Sequence, residues 1–311
     1  MKGNTSLFLR RFCGLGVVVG GVAAAAFAPF LTVGQLPQLA KRLFPVSRGL
    51  LHAYWAPNFW ALYALADKCI ATVRAHVSSD GMPSGQTATL TGGLVGEASF
   101  SVLPNISSIT TMVLVVLGMF PCTWSLWRHP LPLRFPRAVV VCNLTSFIFG
   151  YHVHEKAILM TIVPLAILCC RGEDGDTDTD TDIKDFLFLT IVGTFSLFPL
   201  LIRKEEYGIK IGLLITYLLI AIPWMQRTKG NKKTKGGFSV VERVYLWGLL
   251  PLELYCLVGH PLLFGTQRFP FLPLMATSVY CGVGVCGCWG RMVFTFPSYR
   301  TRQVKTKKKV F

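Results

Sequence analysis

Nine stretches of the chain are apolar enough to read as helices of membrane-crossing character: residues 12–33, 58–77, 104–127, 137–152, 157–170, 186–202, 207–225, 239–264 and 270–292. A span through hydrocarbon needs roughly 20 apolar residues, somewhat fewer or more with tilt. Polar residues gather in the short segments between the runs. The weakest candidate is 58–77, which carries Asp67, Lys68 and Arg74. The pattern predicts an all-α polytopic membrane protein with about eight spans, and 58–77 as an interfacial helix lying on or dipping into one face. Residues 1–311 are expected to form a single transmembrane domain.

The charged positions orient these spans, because Lys and Arg collect on the cytoplasmic side. Placing the N-terminus, the loop Arg128–Arg137, residues Arg171 and Lys184, the loop Arg227–Lys235 and the tail from Arg291 there puts 20 of the 31 basic residues inside. An acidic linker at 171–185 and a basic tail at 293–311 then face the cytosol. A loop at 34–57 and the turn Tyr151–Lys156 face away from it, on the lumenal side.

Composition narrows the class further. Of 311 residues 52% are hydrophobic and 15% charged, and the mean hydropathy is +0.51, well above the balance of a soluble domain. The net charge of +16 does not argue for nucleic acid, since the basic residues lie between apolar runs and not on one folded polar face. The ten cysteines sit in or beside apolar runs without metal-ligand spacing, so neither a metal nor a disulfide framework is expected. No cofactor motif stands out either. Gly282-Val-Gly284-Val-Cys286-Gly287 spells G-x-G-x-x-G, but a dinucleotide site needs a preceding strand in a soluble domain, so these glycines read as helix packing. Gly16 and Gly20 give a G-x-x-x-G spacing suited to the same purpose. Ala23–Ala26 keeps a cleaved signal peptide open for the first run. The Thr-Asp repeat within Glu173–Asp182 lacks the glycine and glutamate spacing of an EF-hand and reads as a solvated linker.

Two stretches carry candidate chemistry. The first is Gly150-Tyr-His152-Val-His154-Glu155-Lys156, a polar knot between two apolar runs; ionisable groups at membrane depth are expensive and mark functional sites. The second runs from Lys41 to Trp60 and holds Arg48, His52, Tyr54, Trp55, Asn58 and Trp60. Its aromatics suit an interface belt at headgroup depth. They equally suit a sugar phosphate on a lipid, with rings against the sugar and a guanidinium on the phosphate. Glu253, inside an apolar run, reads as a buried, hydrogen-bonded acid that could line a lipid groove.

Four segments carry a resemblance: Arg42-Leu-Phe-Pro-Val-Ser-Arg48-Gly, Tyr54-Trp55-Ala-Pro-Asn58-Phe59-Trp60, Phe149-Gly-Tyr-His152-Val-His154-Glu155-Lys156-Ala-Ile-Leu, and Phe271-Leu-Pro-Leu-Met-Ala-Thr-Ser-Val-Tyr280-Cys. They resemble the ALG6/ALG8 glucosyltransferase family from about Leu36 onward, and His52-Ala-Tyr54-Trp55-Ala-Pro is most similar to the ALG8 branch. The resemblance implies a GT-C type transmembrane helix bundle in the endoplasmic reticulum membrane. It implies a transferase that takes glucose from dolichyl phosphate glucose and adds it, α-1,3, as the second glucose of the dolichyl-pyrophosphate-linked oligosaccharide. The groups it implies at the donor phosphate and sugar are Arg48, His52, Tyr54, Trp55, Asn58, Trp60, His152, His154, Glu155 and Lys156, with Glu155 orienting its neighbours. The family's base is an aspartate expected upstream of Met1, so the chain alone is expected to bind donor weakly and transfer nothing. Lys308 and Lys309, fourth and third from the end, resemble a dilysine retrieval signal. A non-catalytic membrane protein or a lipid or ion transporter remains the alternative; internal repeats and a midplane site would mark a transporter, and neither is visible.

Overall fold

The computed structural model describes residues 5–43, 49–51, 56–77, 100–170, 177–201, 205–227, 237–265 and 268–299. Among them the secondary structure is helical, with no strand. Two compact units are present, Met1–Ser47 and Arg48–Phe311. The first holds α1 (Thr5–Thr32) and α2 (Leu36–Leu43). Helix α1 runs unbroken through Ala23–Ala26. Nothing lies within 4 Å of a Cβ built on Gly16 or Gly20, so the expected close packing at that spacing is not formed within the unit.

The second unit contains α3 (Phe59–Val77), α4 (Ser108–Arg128), α5 (Phe135–Phe149), α6 (Leu159–Cys170), α7 (Thr177–Phe195), α8 (Glu206–Arg227), α9 (Val240–Trp247), α10 (Leu249–Leu254), α11 (His260–Phe264) and α12 (Leu272–Thr295). Helices α9 to α11 form one 25-residue rod, Val240–Phe264, interrupted by a π-turn at Tyr255–Gly259. Every apolar run of the sequence falls on a helix. Six of these, counting the rod as one, are long and apolar enough to cross a membrane. The eight expected spans divide into those six plus α5 and α6, which have 15 and 12 residues. At 1.5 Å per residue, α5 is about 22 Å long, short of the roughly 30 Å hydrocarbon core.

Helix α5 is short because it is the core. Val140, Val141, Leu144, Thr145 and Ile148 are fully inaccessible, and Ala138 and Phe147 are nearly so, so it is buried around most of its circumference by α4, α6 and α12. On α3 the positions Trp60, Ala61, Ala64 and Asp67 are buried. This i, i+1, i+4, i+7 stripe is the face a helix turns to a neighbour, and here it meets α12 and α5.

Of the α12 glycines expected to serve helix packing, Gly282 and Gly284 do so, while nothing lies within 4 Å of a Cβ built on Gly287. A Cβ on Gly282 would press on the Asn58 carbonyl, and one on Gly284 would occupy the place of the Tyr245 hydroxyl. That hydroxyl donates to the Tyr280 carbonyl at 2.8 Å, while the Tyr280 hydroxyl donates to the Tyr245 carbonyl at 2.6 Å. The rings stack at 4.7 Å, so α9 and α12 are joined by a reciprocal tyrosine pair that the missing side chains at Gly284 and Gly248 permit.

The acidic segment departs from expectation. Residues 177–185 form the first turns of α7 and are not a solvated linker, and Asp182 and Asp185 are fully buried. Two features explain this. Asp178 and Asp180 lie in the first turn, where acids complement the positive end of the helix dipole. Asp182 and Asp185, three residues apart on one face, meet arginines from other helices. Arg137 Nη1 pairs with Asp182, and Arg137 Nη2 reaches Asp185 at 2.8 Å. Arg291 of α12 bonds Asp185 through Nε at 3.0 Å and pairs with Glu242 of α9. Lys184 approaches Glu242 at 3.2 Å, and the Tyr299 hydroxyl donates to Asp182 at 2.6 Å. Three cations and three anions balance, which is the condition for burying charge at tolerable cost. Glu242 also completes a capping box with Ser239 at the start of α9.

Arg134, fully buried between α4 and α5, donates to the Phe296 carbonyl at 2.8 Å, to Ser125 Oγ at 2.7 Å and to the His129 carbonyl at 3.4 Å. It therefore sits at the C-terminal ends of α4 and α12, where the helix dipoles favour a cation.

Candidate functional site

The site is built where α5 ends. A Cβ on Gly150 would strike the Ser146 carbonyl and lie 2.8 Å from Val153 Cγ2, so glycine is required for the chain to leave α5 this tightly. Two residues on, His152 adopts φ +53°, a left-handed conformation that costs a non-glycine residue about 1–3 kcal/mol and persists only when its surroundings impose it. Those surroundings come from about a hundred residues earlier. His152 N donates to the Leu50 carbonyl at 3.1 Å, and His152 Nδ1 lies 3.0 Å from the Gly49 carbonyl. A carbonyl can only accept, so Nδ1 carries the proton. The imidazole orientation is thereby fixed.

A second strap holds the same turn. Asn58 Nδ2 donates to the Phe147 carbonyl at 3.3 Å, Asn58 Oδ1 accepts from Trp60 N at 3.1 Å, and Trp60 Nε1 donates to the Gly150 carbonyl at 2.9 Å. The last carbonyls of a helix have no intrahelical partner; here the side chains of Asn58 and Trp60 satisfy two of them at the exit of α5. Trp60 is 1% exposed and Asn58 3%, and the Trp60 ring is edged by Phe59 and Tyr63. Both are buried and fasten the turn in this structure. Tyr63 likewise donates to the Pro104 carbonyl at 2.8 Å.

Beyond the fasteners the turn presents polar side chains. His154 and Lys156 are exposed, while Glu155 between them is buried at the start of the 3-10 turn Glu155–Ile158. The rings of His152 and His154 lie edge-to-face at 6.1 Å. The structure thus brings together His152, His154, Glu155, Lys156, Asn58 and Trp60. Arg48, His52, Tyr54, Trp55, Lys308 and Lys309 lie outside the described residues. Gly49 and Leu50, whose carbonyls shape the turn, are missing from the sequence-derived set because a backbone acceptor leaves no mark in residue type.

Asp67, the remaining carboxylate near this end of α3, is committed elsewhere. It accepts from Ser101 N at 2.9 Å, Val102 N at 2.8 Å and Leu103 N at 2.7 Å. Burial pushes its carboxyl up, but the amides of Leu103, Ser101 and Val102 outweigh that and hold it below the usual carboxylate range. A depressed pKa contributes stability that is complete above the unfolded value and is lost as pH falls through the folded one. Hydrogen exchange at Ser101–Leu103, corrected for intrinsic rates, should therefore lose protection on acidification below the ordinary aspartate range. Asp67→Asn should show little protection at any pH. Equal protection at pH 3 and pH 7 in the wild type would remove the carboxylate from this role. A group holding three amides is not available as a general base.

Together these features define the class: an all-α, multi-pass membrane protein with a cationic turn locked at the end of its central helix. The chain belongs to the ALG6, ALG8 glycosyltransferase family, whose sequence profile matches residues 2–292. It is 40% identical over 289 residues to the mouse dolichyl pyrophosphate Glc1Man9GlcNAc2 alpha-1,3-glucosyltransferase, covering 93% of this chain and 53% of that protein. The Arabidopsis thaliana protein of the same name is 38% identical over 292 residues, 90% of this chain and 56% of its own. A Drosophila melanogaster protein named as a probable enzyme of this kind is 42% identical over 270 residues, 86% and 49% respectively. The chain spans about half the length of these curated relatives.

Proposed function

We propose that this chain forms the donor-phosphate-binding part of a glucosyl transfer in N-glycan precursor assembly, in the endoplasmic reticulum membrane. Glucose leaves dolichyl phosphate glucose and joins, α-1,3, the terminal glucose of the dolichyl-pyrophosphate-linked oligosaccharide. The relatives' names supply the acceptor and the linkage. The observation that carries the reading is the turn itself: His154 and Lys156 stand exposed on a backbone fixed by Asn58, Trp60 and the Gly49 and Leu50 carbonyls.

Fixed cations suit a departing lipid phosphate, since preorganised charge at the leaving group stabilises the transition state without reorganisation. In a single displacement the acceptor hydroxyl loses its proton to a base while its oxygen attacks the anomeric carbon and the dolichyl phosphate leaves with the bonding electrons. His154 and Lys156 take that phosphate, Glu155 orients them from beneath, and His152 sets the turn. Arg48, His52, Tyr54 and Trp55 are assigned to the donor from the sequence alone. Lys308 and Lys309 are assigned to retrieval on the same basis.

The test is retention of radiolabelled dolichyl phosphate glucose by the purified chain. Lys156→Ala and His154→Ala should each weaken it by about tenfold or more, the worth of one charge-assisted hydrogen bond. Arg243→Ala, an exposed cation of α9, should leave it unchanged. Undiminished retention in both turn variants would remove the phosphate from this site.

A further inference from the structure

Away from the turn, a cavity of about 370 Å³ lies among the 3-10 turn Phe198–Leu200, the start of α8, the middle of the α9–α11 rod and the start of α12. Phe198, Leu201, Phe271 and Leu274 give it apolar walls. Two charges line it as well: Lys210 of α8 and Glu253 of α10, Nζ to Oε1 2.8 Å, with side chains 4% and 12% exposed. The Lys210 ammonium lies over the rings of Tyr207 at 4.4 Å and Phe198 at 4.9 Å. Nothing in the proposed transfer uses this pair, yet an ion pair among lipid-facing helices is costly and marks function more often than architecture. Glu253 Oε1 meets the ammonium as an ion pair without hydrogen-bond alignment, and it has no directed partner among the described residues.

The backbone is irregular at the same place. Cys256 and Leu257, two wall residues, belong to the π-turn. Pro261 has no N–H to offer the Leu257 carbonyl, so the regular i to i−4 ladder fails there. Widened turns of this kind collect at functional sites.

We propose that this cavity binds the headgroup of a zwitterionic membrane phospholipid bearing a primary ammonium, with its phosphate on Lys210 and its ammonium on Glu253. Charge balance selects the class. The pair sums to zero, so a ligand with one net charge leaves a buried charge uncompensated, whereas a zwitterion gives each partner a counterpart. A carboxylate offers more acceptor sites than the one Lys210 ammonium fills, so Glu253 favours a second ammonium that still carries N–H donors, which a quaternary one lacks. The surroundings select the source. Ile209 and Leu213 beside Lys210, and Leu254 and Val258 beside Glu253, are exposed apolar residues, so the cavity borders hydrocarbon and its occupant enters from the bilayer.

Native mass spectrometry of the full chain, released from nanodiscs of dioleoylphosphatidylethanolamine mixed equally with either the phosphatidylglycerol or the phosphatidylcholine analogue, tests this. Ethanolamine lipid should be retained at least about tenfold over each, the factor for one charge-assisted hydrogen bond. Charge reversal in K210E/E253K, which keeps the pair, should keep the preference; K210M/E253M should abolish it. Leu274→Trp, which fills the cavity from its apolar wall and leaves both charges in place, should expel the lipid without altering elution on size exclusion. Equal retention of phosphatidylglycerol by the wild type, or unchanged preference in K210M/E253M or Leu274→Trp, overturns the assignment.

Discussion

Arg137→Ala is expected to lower unfolding stability by about 3–5 kcal/mol, the cost of removing one partner from a buried charge network. The change should register as a large fall in the thermal midpoint of detergent-solubilised protein. The guanidinium is 1% exposed and spans Asp182 and Asp185, both fully inaccessible. Without it Asp182 loses this guanidinium and keeps the Tyr299 hydroxyl, and Asp185 keeps Arg291. Arg291 is 27% exposed, so Arg291→Ala should cost less, because water can fill the space its side chain leaves and Asp185 keeps Arg137. The double variant R137M/D182L removes a cation and an anion together and should be more stable than Arg137→Met alone. An Arg137→Ala midpoint close to that of the wild type would mean that the acidic face of α7 is hydrated in solution.

Trp60→Ala should have an effect of similar size at the other end of the molecule. Truncating a fully buried aromatic costs about 3–5 kcal/mol, and the indole also holds the Gly150 carbonyl from which the cationic turn springs. Donor retention should fall with stability, because His154 and Lys156 lose the backbone geometry that the strap imposes. Trp60→Phe separates the two effects: most of the ring volume stays while the bond to Gly150 is lost, a cost of about 1–2 kcal/mol. If Trp60→Phe retains donor as well as the wild type does, the indole hydrogen bond has no part in shaping the turn.

The helices were legible because each apolar run had no alternative to helix. The ends match closely at 58–77 against Phe59–Val77 and 239–264 against Val240–Phe264, whereas 186–202 falls against Thr177–Phe195 because the acidic turns before it are helical too. The acidic stretch was misread for an equally physical reason. Thr-Asp alternation has the composition of a solvated segment, and the arginines that neutralise it stand 45 and 106 residues away, beyond any local pattern. A signal was present in Asp178 and Asp180, which suit a helix N-terminus. At the site, the polar character of the turn was readable from His152 to Lys156. The bonds from Asn58 and Trp60 to the Phe147 and Gly150 carbonyls were not, because partners about ninety residues away leave no local pattern.

Arg134 sets a timetable for the whole assembly. Its acceptors at Ser125 and His129 are made before it, but the Phe296 carbonyl follows 162 residues later. At 5–20 residues per second, synthesis needs roughly 10–30 s to deliver that acceptor. Throughout that interval the guanidinium is a charged group without its final cover, and α4 and α5 wait in an open arrangement. Helix α12 therefore completes the cover of Arg134, and a nascent chain stalled short of Phe296 would hold that guanidinium half-capped.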